Sequence, residues 1–174
     1  MSFLDRFKPQ PRWKHADPAV RAEAVPAIPD DEEHLAVLQE LAREDTDLRV
    51  RRAAGARLTR VEDLVQLARS EQDEALKREY AERLVEVAIA PAASDGSAAL
   101  ALEGIDDQKQ FAAIAKTSPF DTVRTAALGR IHDVRRLGSV ARNAQDPQAA
   151  AKASVTSGGG ASGGRAGLRG PPAT

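Results

Sequence analysis

The chain has 174 residues, of which 42% are hydrophobic, 29% are charged and only 3% are aromatic, and its formal net charge is −1. It contains no cysteine, which excludes disulfides and cysteine-ligated metals, and it has neither an apolar stretch long enough to span a bilayer nor a signal-like region after Met1. This composition predicts packed helices with a core of Ala, Leu and Val, and it favours a cytoplasmic location.

Residues 1–12 form an N-terminal segment that differs from the rest of the chain. Three large apolar residues stand beside basic residues before two prolines, which is typical of a short surface-seeking helix, although it is too short for firm membrane binding. We expect Trp13, with Phe3 or Phe7, to cover the open apolar end of the helices that follow, because terminal repeat units need a cap.

A pattern of anchor residues at steps of four predicts a series of helices that we call A. A capping oxygen before proline at Asp17-Pro18, Ser118-Pro119 and Asp146-Pro147 predicts that three of them begin there. The anchors are Val20, Ala24 and Ile28; Val50, Ala54 and Leu58; Leu76, Tyr80 and Leu84; the weaker set Ser97, Ala101 and Ile105; and Val123, Ala127 and Ile131.

A second pattern, in which two large apolar residues three apart precede Ala and a basic residue, predicts helices that we call B. Acidic residues at 30–33 and at 106–107 begin two of them, which suits the helix dipole. In the third unit the two helices look fused, and residues 91–96 interrupt the series. The B motifs are Leu38, Leu41, Ala42 and Arg43; Leu64, Leu67, Ala68 and Arg69; the imperfect Leu84, Val87, Ala88 and Ile89; Phe111, Ile114, Ala115 and Lys116; and Leu137, Val140, Ala141 and Arg142.

The two patterns recur together, since Val50 follows Val20 by 30 residues and Leu76 follows Val50 by 26. A helical hairpin repeated at this length is typical of a solenoid. The stretches "DPAVRAEAVPAI", "DLRVRRAAGARL" and "FDTVRTAALGRI" resemble the Asp-x-x-Val-Arg signature of HEAT-like repeats, particularly the short bacterial type also found in phycobilisome-lyase-like proteins. The resemblance covers residues 13–155. It implies an all-α, right-handed α-solenoid of about five hairpins that binds rather than catalyses.

The C-terminal end departs from the repeats. "DPQAAAKASV" predicts the start of a sixth helix A, and the Gly-, Ser- and Pro-rich residues 156–174 then predict a disordered tail. Two explanations remain open here: the chain is a shortened form of a longer repeat protein, or the tail is natural to it.

Neither a catalytic, a cofactor-binding nor a metal-binding residue is predicted. His15, His34 and His132 lie in different units, and the acidic run at 30–33 is better explained as a solvated helix start than as a cation site. "SGGGASGG" lacks the Lys and the preceding strand of a phosphate loop, and no nucleophile elbow is present. We therefore expect a protein that is not an enzyme; a lyase or its chaperone, suggested by the resemblance, lacks a catalytic signature here.

The recurring basic residues are the candidates for function. Arg21, Arg51, Lys77 and Arg124 each follow an anchor by one position, and we expect them to pair with Asp residues near the repeat loops. Other basic residues are better placed to bind a partner, because no Asp recurs in the repeats at a position where it would pair with them. They are Arg52, Arg57, Arg60, Arg78, Arg83, Arg130, Arg135, Arg136 and Arg142.

The sequence therefore predicts a monomeric, non-catalytic scaffold that binds an as yet unidentified protein. The alternative is a nucleic-acid- or ribosome-associated module that uses the basic C-terminal repeats. Residues 117–174 hold 8 basic and 3 acidic residues, whereas residues 1–116 hold 17 and 23. The scaffold is favoured because that excess is modest and few aromatic residues are present to stack on bases.

Overall fold

A computed structural model describes residues 10–143 and 147–158. Within these ranges the chain forms ten α-helices and short 3₁₀ turns and contains no strand, which confirms the all-α prediction. The helices are α1 (Pro18–Ala24), α2 (Glu32–Glu44), α3 (Leu48–Arg57), α4 (Val61–Ser70), α5 (Glu74–Ile89), α6 (Asp95–Ala101), α7 (Gln108–Thr117), α8 (Asp121–Gly129), α9 (Val134–Asn143) and α10 (Pro147–Gly158).

The helices belong to two compact units, one ending at Asp106 and the other beginning at Asp107. In the first unit α2 packs on α3 and on α4, α1 packs on α3, and α4 packs on α5 and α6. In the second unit α7 packs on α8 and α9, and α10 packs on α8 and α9. In both units a B helix packs against the A helix that follows it and against a neighbouring B helix.

The cores contain most of the residues that the two patterns predict, together with other buried apolar residues such as Val25, Val65 and Leu102. The A anchors are buried except Val20 and Ser97, which are half-buried. In the B motifs the first large apolar residue is buried in every copy, whereas Leu41, Val87 and Ala141 are half-buried. The predicted inward faces of the helices are therefore confirmed, with looser burial towards some helix ends.

The start of each A helix is set by its first anchor. Asp17, Asp47 and Asp73 each lie three residues before that anchor, and each carboxylate accepts a backbone N–H bond as the N-cap. The prediction that Ser118-Pro119 begins a helix is wrong, because α8 starts at Asp121 and Phe120 occupies the cap position, three residues before Val123. Burial of the anchor fixes this register, and the proline holds Ser118 in an extended conformation. Asp146 lies outside the described residues.

The third unit contains a single long helix in place of a hairpin. α5 continues without a break from its A anchors into the imperfect B motif, as expected from the sequence. After the interruption, α6 and the 3₁₀ turn Leu102–Gly104 reproduce α1 and the 3₁₀ turn Val25–Ala27. Both of these combinations end at a buried isoleucine, Ile28 or Ile105.

The two ends of the described chain are also helical. Trp13 lies in the 3₁₀ turn Arg12–Lys14, and its ring meets the His34 ring edge-on at 5.8 Å between centroids, at the start of α2. Phe3 and Phe7, its predicted companions, lie outside the described residues. At the other end α10 begins at Pro147 and runs three residues into the predicted tail, whose remainder, 159–174, is not described.

Candidate functional site

The basic residues that follow the first A anchor form internal ion pairs, as predicted. Arg21 donates two hydrogen bonds of 2.7 Å to the two carboxylate oxygens of Asp45, and Arg51 binds Glu71 in the same way at 3.0 Å. The carboxylate side chains are only 5% and 4% exposed. The partner of Arg51 is thus a glutamate and not the expected aspartate, and both pairs join an A helix to the end of the B helix after it.

A second contact of these cations repeats at a fixed spacing. In three units the guanidinium also donates to the backbone carbonyl six residues earlier, which ties the A helix to the turn that precedes it. These bonds run from Arg21 to His15, from Arg51 to Asp45 and from Arg124 to Ser118. Lys77 and Arg124 complete the set of ion pairs, with Asp106 at 3.0 Å and Asp121 at 3.4 Å.

The pairing changes the pKa values of the buried carboxyl groups. Burial acts to raise the pKa of Asp45, but hydrogen bonds from Arg21 and from the Asp47 amide outweigh it and hold the pKa below its ordinary value. The pKa of Glu71 is also lowered, because the hydrogen bonds from Arg51 and a backbone amide outweigh burial. Both groups are therefore ionised near neutral pH, and their role is structural.

Two of the nine candidate arginines are occupied by backbone carbonyls. Arg57 and Arg83 each lie three residues after the middle anchor of an A helix, and each donates to the end of the preceding A helix. Their bonds run from Arg57 to the carbonyls of Val25 and Ile28, at 2.9 and 2.5 Å, and from Arg83 to those of Gly55 and Leu58, at 2.8 and 2.5 Å. The recurring acceptor of these two arginines is thus a pair of carbonyls and not a repeated Asp, and Arg57 also pairs with Asp30 at 3.0 Å.

The remaining candidates differ in how accessible they are. Arg52 pairs with Glu79 at 3.0 Å, the Arg130 guanidinium lies 5.8 Å from the centre of the Phe111 ring, and Arg136 lies 3.4 Å from Asp133. The other four are exposed: Arg60, Arg78, Arg135 and Arg142.

A groove between α2 and α4 brings two of the candidates together. It consists of two adjoining clefts that share Leu58, one of about 410 Å³ and one of about 90 Å³. We call them together the α2–α4 groove. The larger cleft is lined by Asp30, Asp31, Glu32, Leu35, Leu38, Arg57, Leu58, Thr59 and Arg60, and the smaller by Gln39, Arg43, Leu58, Asp63, Gln66 and Leu67.

The larger cleft combines both signs of charge with an apolar floor. Leu38 and Leu58 form the buried floor, being 2% and 1% exposed. Asp31 caps α2 on one side, and hydrogen bonds from the His34 ring and backbone keep the pKa of its carboxyl below the usual range. Arg60, at the N-cap of α4, also lines the cleft; it is exposed and makes neither an ion pair nor a hydrogen bond to any described side chain. The cleft therefore combines the free guanidinium of Arg60 with three carboxylates, of which Asp30 pairs with Arg57.

The smaller cleft contains a carboxylate that is only half satisfied. Gln39 Nε2 donates to Asp63 Oδ1 at 2.7 Å. Asp63 Oδ2 is buried and has no hydrogen-bond partner among the described residues. The sequence analysis did not identify Gln39 or Asp63, because a polar residue in an amphipathic helix is ordinarily expected to face solvent. The signal that could have found Asp63 is its place directly before a buried leucine.

The other seven candidate arginines do not line this groove. In the described part of the chain there is no cluster of three or more His, Asp or Glu residues that could hold a metal ion. None of the helices in 10–143 and 147–158 has the length and apolar character that crossing a bilayer requires. Comparison of the chain with protein families, with curated proteins and with solved structures finds no significant match.

Proposed function

We propose that the chain is a non-catalytic, HEAT-like repeat module, acting as a cytoplasmic monomer, that binds a protein partner in the α2–α4 groove. The observation that carries this proposal is the chemistry of the larger cleft: carboxylates, the unpaired Arg60 and an apolar floor lie within one concave surface. Polypeptides present side chains of all three complementary kinds, and concave surfaces of this mixed kind are typical of protein-binding repeats.

The HEAT-like part of the proposal rests on how the contacts repeat. In five A helices the N-cap residue lies three residues before the first anchor. In three of them an arginine side chain donates a hydrogen bond to the backbone carbonyl that lies six residues earlier, in the preceding turn. Recurrence of a side-chain contact at the same repeat position supports a repeated supersecondary unit more strongly than an apolar pattern alone.

The groove disfavours a nucleic-acid backbone as its occupant. Three carboxylates line the larger cleft and a fourth lines the smaller one, so a phosphate chain would meet like charges there. The second candidate function, binding of nucleic acid by the C-terminal repeats, is instead favoured by the exposed Arg135 and Arg142 in a region rich in basic residues.

A library of random linear 16-residue peptides, displayed on phage and selected against the full chain, tests the protein-binding proposal. We expect selected peptides whose synthetic forms bind at micromolar concentrations. Arg60→Glu and Leu35→Lys should each weaken binding at least tenfold, because they reverse the free charge and remove apolar area in the groove.

Matched controls separate the groove from the general surface. Arg78→Glu changes another exposed candidate arginine, and Leu48→Lys changes a half-buried leucine at the start of α3. Neither residue lines the groove. We expect both controls to bind like the wild type. Equal losses in controls and groove variants would contradict the assignment to the groove, and failure to select any peptide would contradict the function.

Nucleic acid is examined in parallel with mixed RNA and DNA over a range of salt concentrations. We expect weak binding that disappears near physiological salt, because only a few exposed arginines would contact phosphates. Submicromolar affinity that persists at that salt, and that is lost when Arg130, Arg135, Arg136 and Arg142 are replaced by Gln, would establish the second function instead.

A further inference from the structure

The 3₁₀ turn Arg12–Lys14 lies beside the larger cleft of the α2–α4 groove. Trp13, in the middle of this turn, contacts the His34 ring edge-on. The His34 Nδ1 atom in turn lies 2.7 Å from Oδ1 of Asp31, which lines the cleft. The first described part of the chain is thus held next to one wall of the cleft, and residues 1–9 are attached to it there.

Residues 1–9 are close enough along the chain to reach the cleft. A chain spans at most about 3.5 Å per residue, so Phe7 lies within about 20 Å of Trp13 and Phe3 within about 35 Å. The α2 wall from Asp31 to Leu38 is only about 10 Å long, at about 1.5 Å per helical residue. Attachment at such short range gives a segment a high effective concentration at the cleft, so modest contacts are enough for it to bind there.

The apolar residues of this segment are of the kind that the cleft can bury. Phe3, Leu4 and Phe7 are the large apolar residues between positions 2 and 8. The cleft presents three leucines, the buried Leu38 and Leu58 and the half-buried Leu35. Its volume of about 410 Å³ is that of pockets which bury a small ligand, so it has room for a few side chains and not for a whole helix.

The charges of the segment also complement those of the cleft. Three carboxylates and two guanidiniums line the cleft, and one carboxylate, Asp30, pairs with Arg57. The segment has the opposite excess, since Arg6 and Lys8 outnumber Asp5. Its two basic residues match the remaining carboxylates of the cleft, and its acidic residue matches the one guanidinium there that has no described partner.

The other end of the chain lacks these properties. Residues 159–174 contain a single large apolar residue, Leu168, and neither an aromatic nor an acidic residue. They could offer the cleft little apolar area and no carboxylate for Arg60. Of the two terminal segments, the N-terminal one is therefore the occupant that the chemistry of the cleft selects.

We propose that residues 3–8 bind in the larger cleft of their own chain and thereby compete with the protein partner for the α2–α4 groove. Phe3, Leu4 and Phe7 cover the leucine floor, while the basic residues face the carboxylates of α2. The competition rests on the proposed protein-binding function, whereas binding of the segment within its own chain does not. A partner would have to displace the segment, which lowers its apparent affinity.

Paramagnetic broadening in the full chain tests where the segment lies. The chain has no cysteine, so Ser2→Cys introduces one site for a nitroxide label. We expect the label to remove most of the amide signal intensity of Thr59 and Arg60, which line the cleft but belong to the turn before α4. High salt should restore part of this intensity, because it screens the charge contacts.

Two labelled variants separate binding from simple attachment. Replacing Phe3, Leu4 and Phe7 together by Ser removes the apolar contacts and should largely restore the signals of Thr59 and Arg60. The matched control exchanges the same residues for other large apolar ones, Phe3→Leu, Leu4→Phe and Phe7→Leu, and should keep the broadening. Equal broadening in the two variants would overturn the proposal, and so would broadening confined to α1, which would make the segment a cap on the open end of the helices.

The selected 16-residue peptides test the competition separately. They should bind the triple Ser variant about tenfold more tightly than the wild type, because the cleft is then free in every molecule. Equal affinity would overturn the competition. Absence of any selected peptide would overturn the proposed function, while the broadening of Thr59 and Arg60 would still decide whether the segment binds in the cleft.

Discussion

Gly55 allows two helices of the first unit to approach closely. A Cβ atom at this position would overlap the hydroxyl and ring edge of Tyr80, which is buried in α5 and donates a 3.4 Å hydrogen bond to the Arg51 carbonyl. Glycine in a helix interior lowers helix stability, so its presence in α3 reflects this contact. Gly55 therefore packs against an aromatic ring.

Gly55→Ala should lower the free energy of unfolding by about 1–2 kcal/mol, because overpacking outweighs the gain of up to about 1 kcal/mol in helix propensity. Chemical denaturation measures the change. Gly129→Ala is the control, since no atom lies within 4 Å of a Cβ built there, and it should be neutral or slightly stabilising. A Gly55→Ala protein as stable as the wild type would contradict the described packing.

Burial also changes the ionisation of Tyr80, raising its pKa to about 12. The folded state favours the protonated phenol, so this stabilisation is complete below pH 10 and is lost as the pH rises through about 12. Because Tyr80 is the one tyrosine of the chain, the absorbance of tyrosinate reports it directly. We expect its titration near pH 12 in the folded protein and near pH 10 in denaturant; titration near 10 with intact helical circular dichroism would refute its burial.

At the scale of the helices, the ion pairs of Arg21 with Asp45 and of Arg51 with Glu71 connect consecutive elements. The Asp45 and Glu71 carboxyl groups have lowered pKa values in the folded protein. In acid the folded state therefore binds fewer protons than the unfolded state does. Their contribution to stability is therefore complete above the ordinary values of 3.8 and 4.5 and is lost as the pH falls through the lower folded values.

The double variant Asp45→Asn with Glu71→Gln should lose about 3 kcal/mol or more of stability at pH 7, because each change leaves a largely buried guanidinium without its partner. Its remaining stability should also fall less than that of the wild type between about pH 6 and pH 3. The control is Glu23→Gln with Glu79→Gln, which removes two exposed partners and should cost little. Parallel pH dependence in the two double variants would exclude the buried pairs as the source of acid sensitivity.

The sequence predicted helix type, inward faces and most helix starts, because these depend on local spacing and capping chemistry. It failed at Ser118-Pro119, where burial of Val123 determined the start of α8 in place of the better capping residue. It did not identify the acceptors of Arg57 and Arg83, which recur as backbone carbonyls more than twenty residues away. No residue type marks a free carbonyl, so such partners become visible only when the helices are packed.

The groove was less predictable than the fold for the same reason. Arg60 was identified from the sequence as a basic residue without a repeated acidic partner, and it does line the larger cleft. The carboxylates of the same cleft were interpreted from the sequence as the solvated start of a helix. This interpretation is correct for Asp31, but it omits that these carboxylates line a cleft. A wall is formed by two elements together, and the periodicity of one helix contains no information about the other.

At the scale of the whole molecule, both units are built from the same contacts but differ in charge. Most acidic residues belong to the first unit, where several of them pair with arginines of the A helices. In the second unit the exposed Arg135 and Arg142 have fewer acidic residues near them in sequence. The scaffold and nucleic-acid hypotheses thus place binding in different parts of the chain, which makes the location of a bound ligand informative.

The proposal that a protein partner binds in the α2–α4 groove is tested most directly by amide hydrogen exchange. The exchange of the full chain is measured with and without a selected 16-residue peptide. Binding in the α2–α4 groove should slow exchange in residues 30–39 and 57–67, because the peptide would cover the start of α2 and most of α4 and would stabilise their hydrogen bonds. The remaining helices should exchange at unchanged rates. Protection confined to residues 130–142, with none in α2 or α4, would contradict the assignment of the partner to this groove.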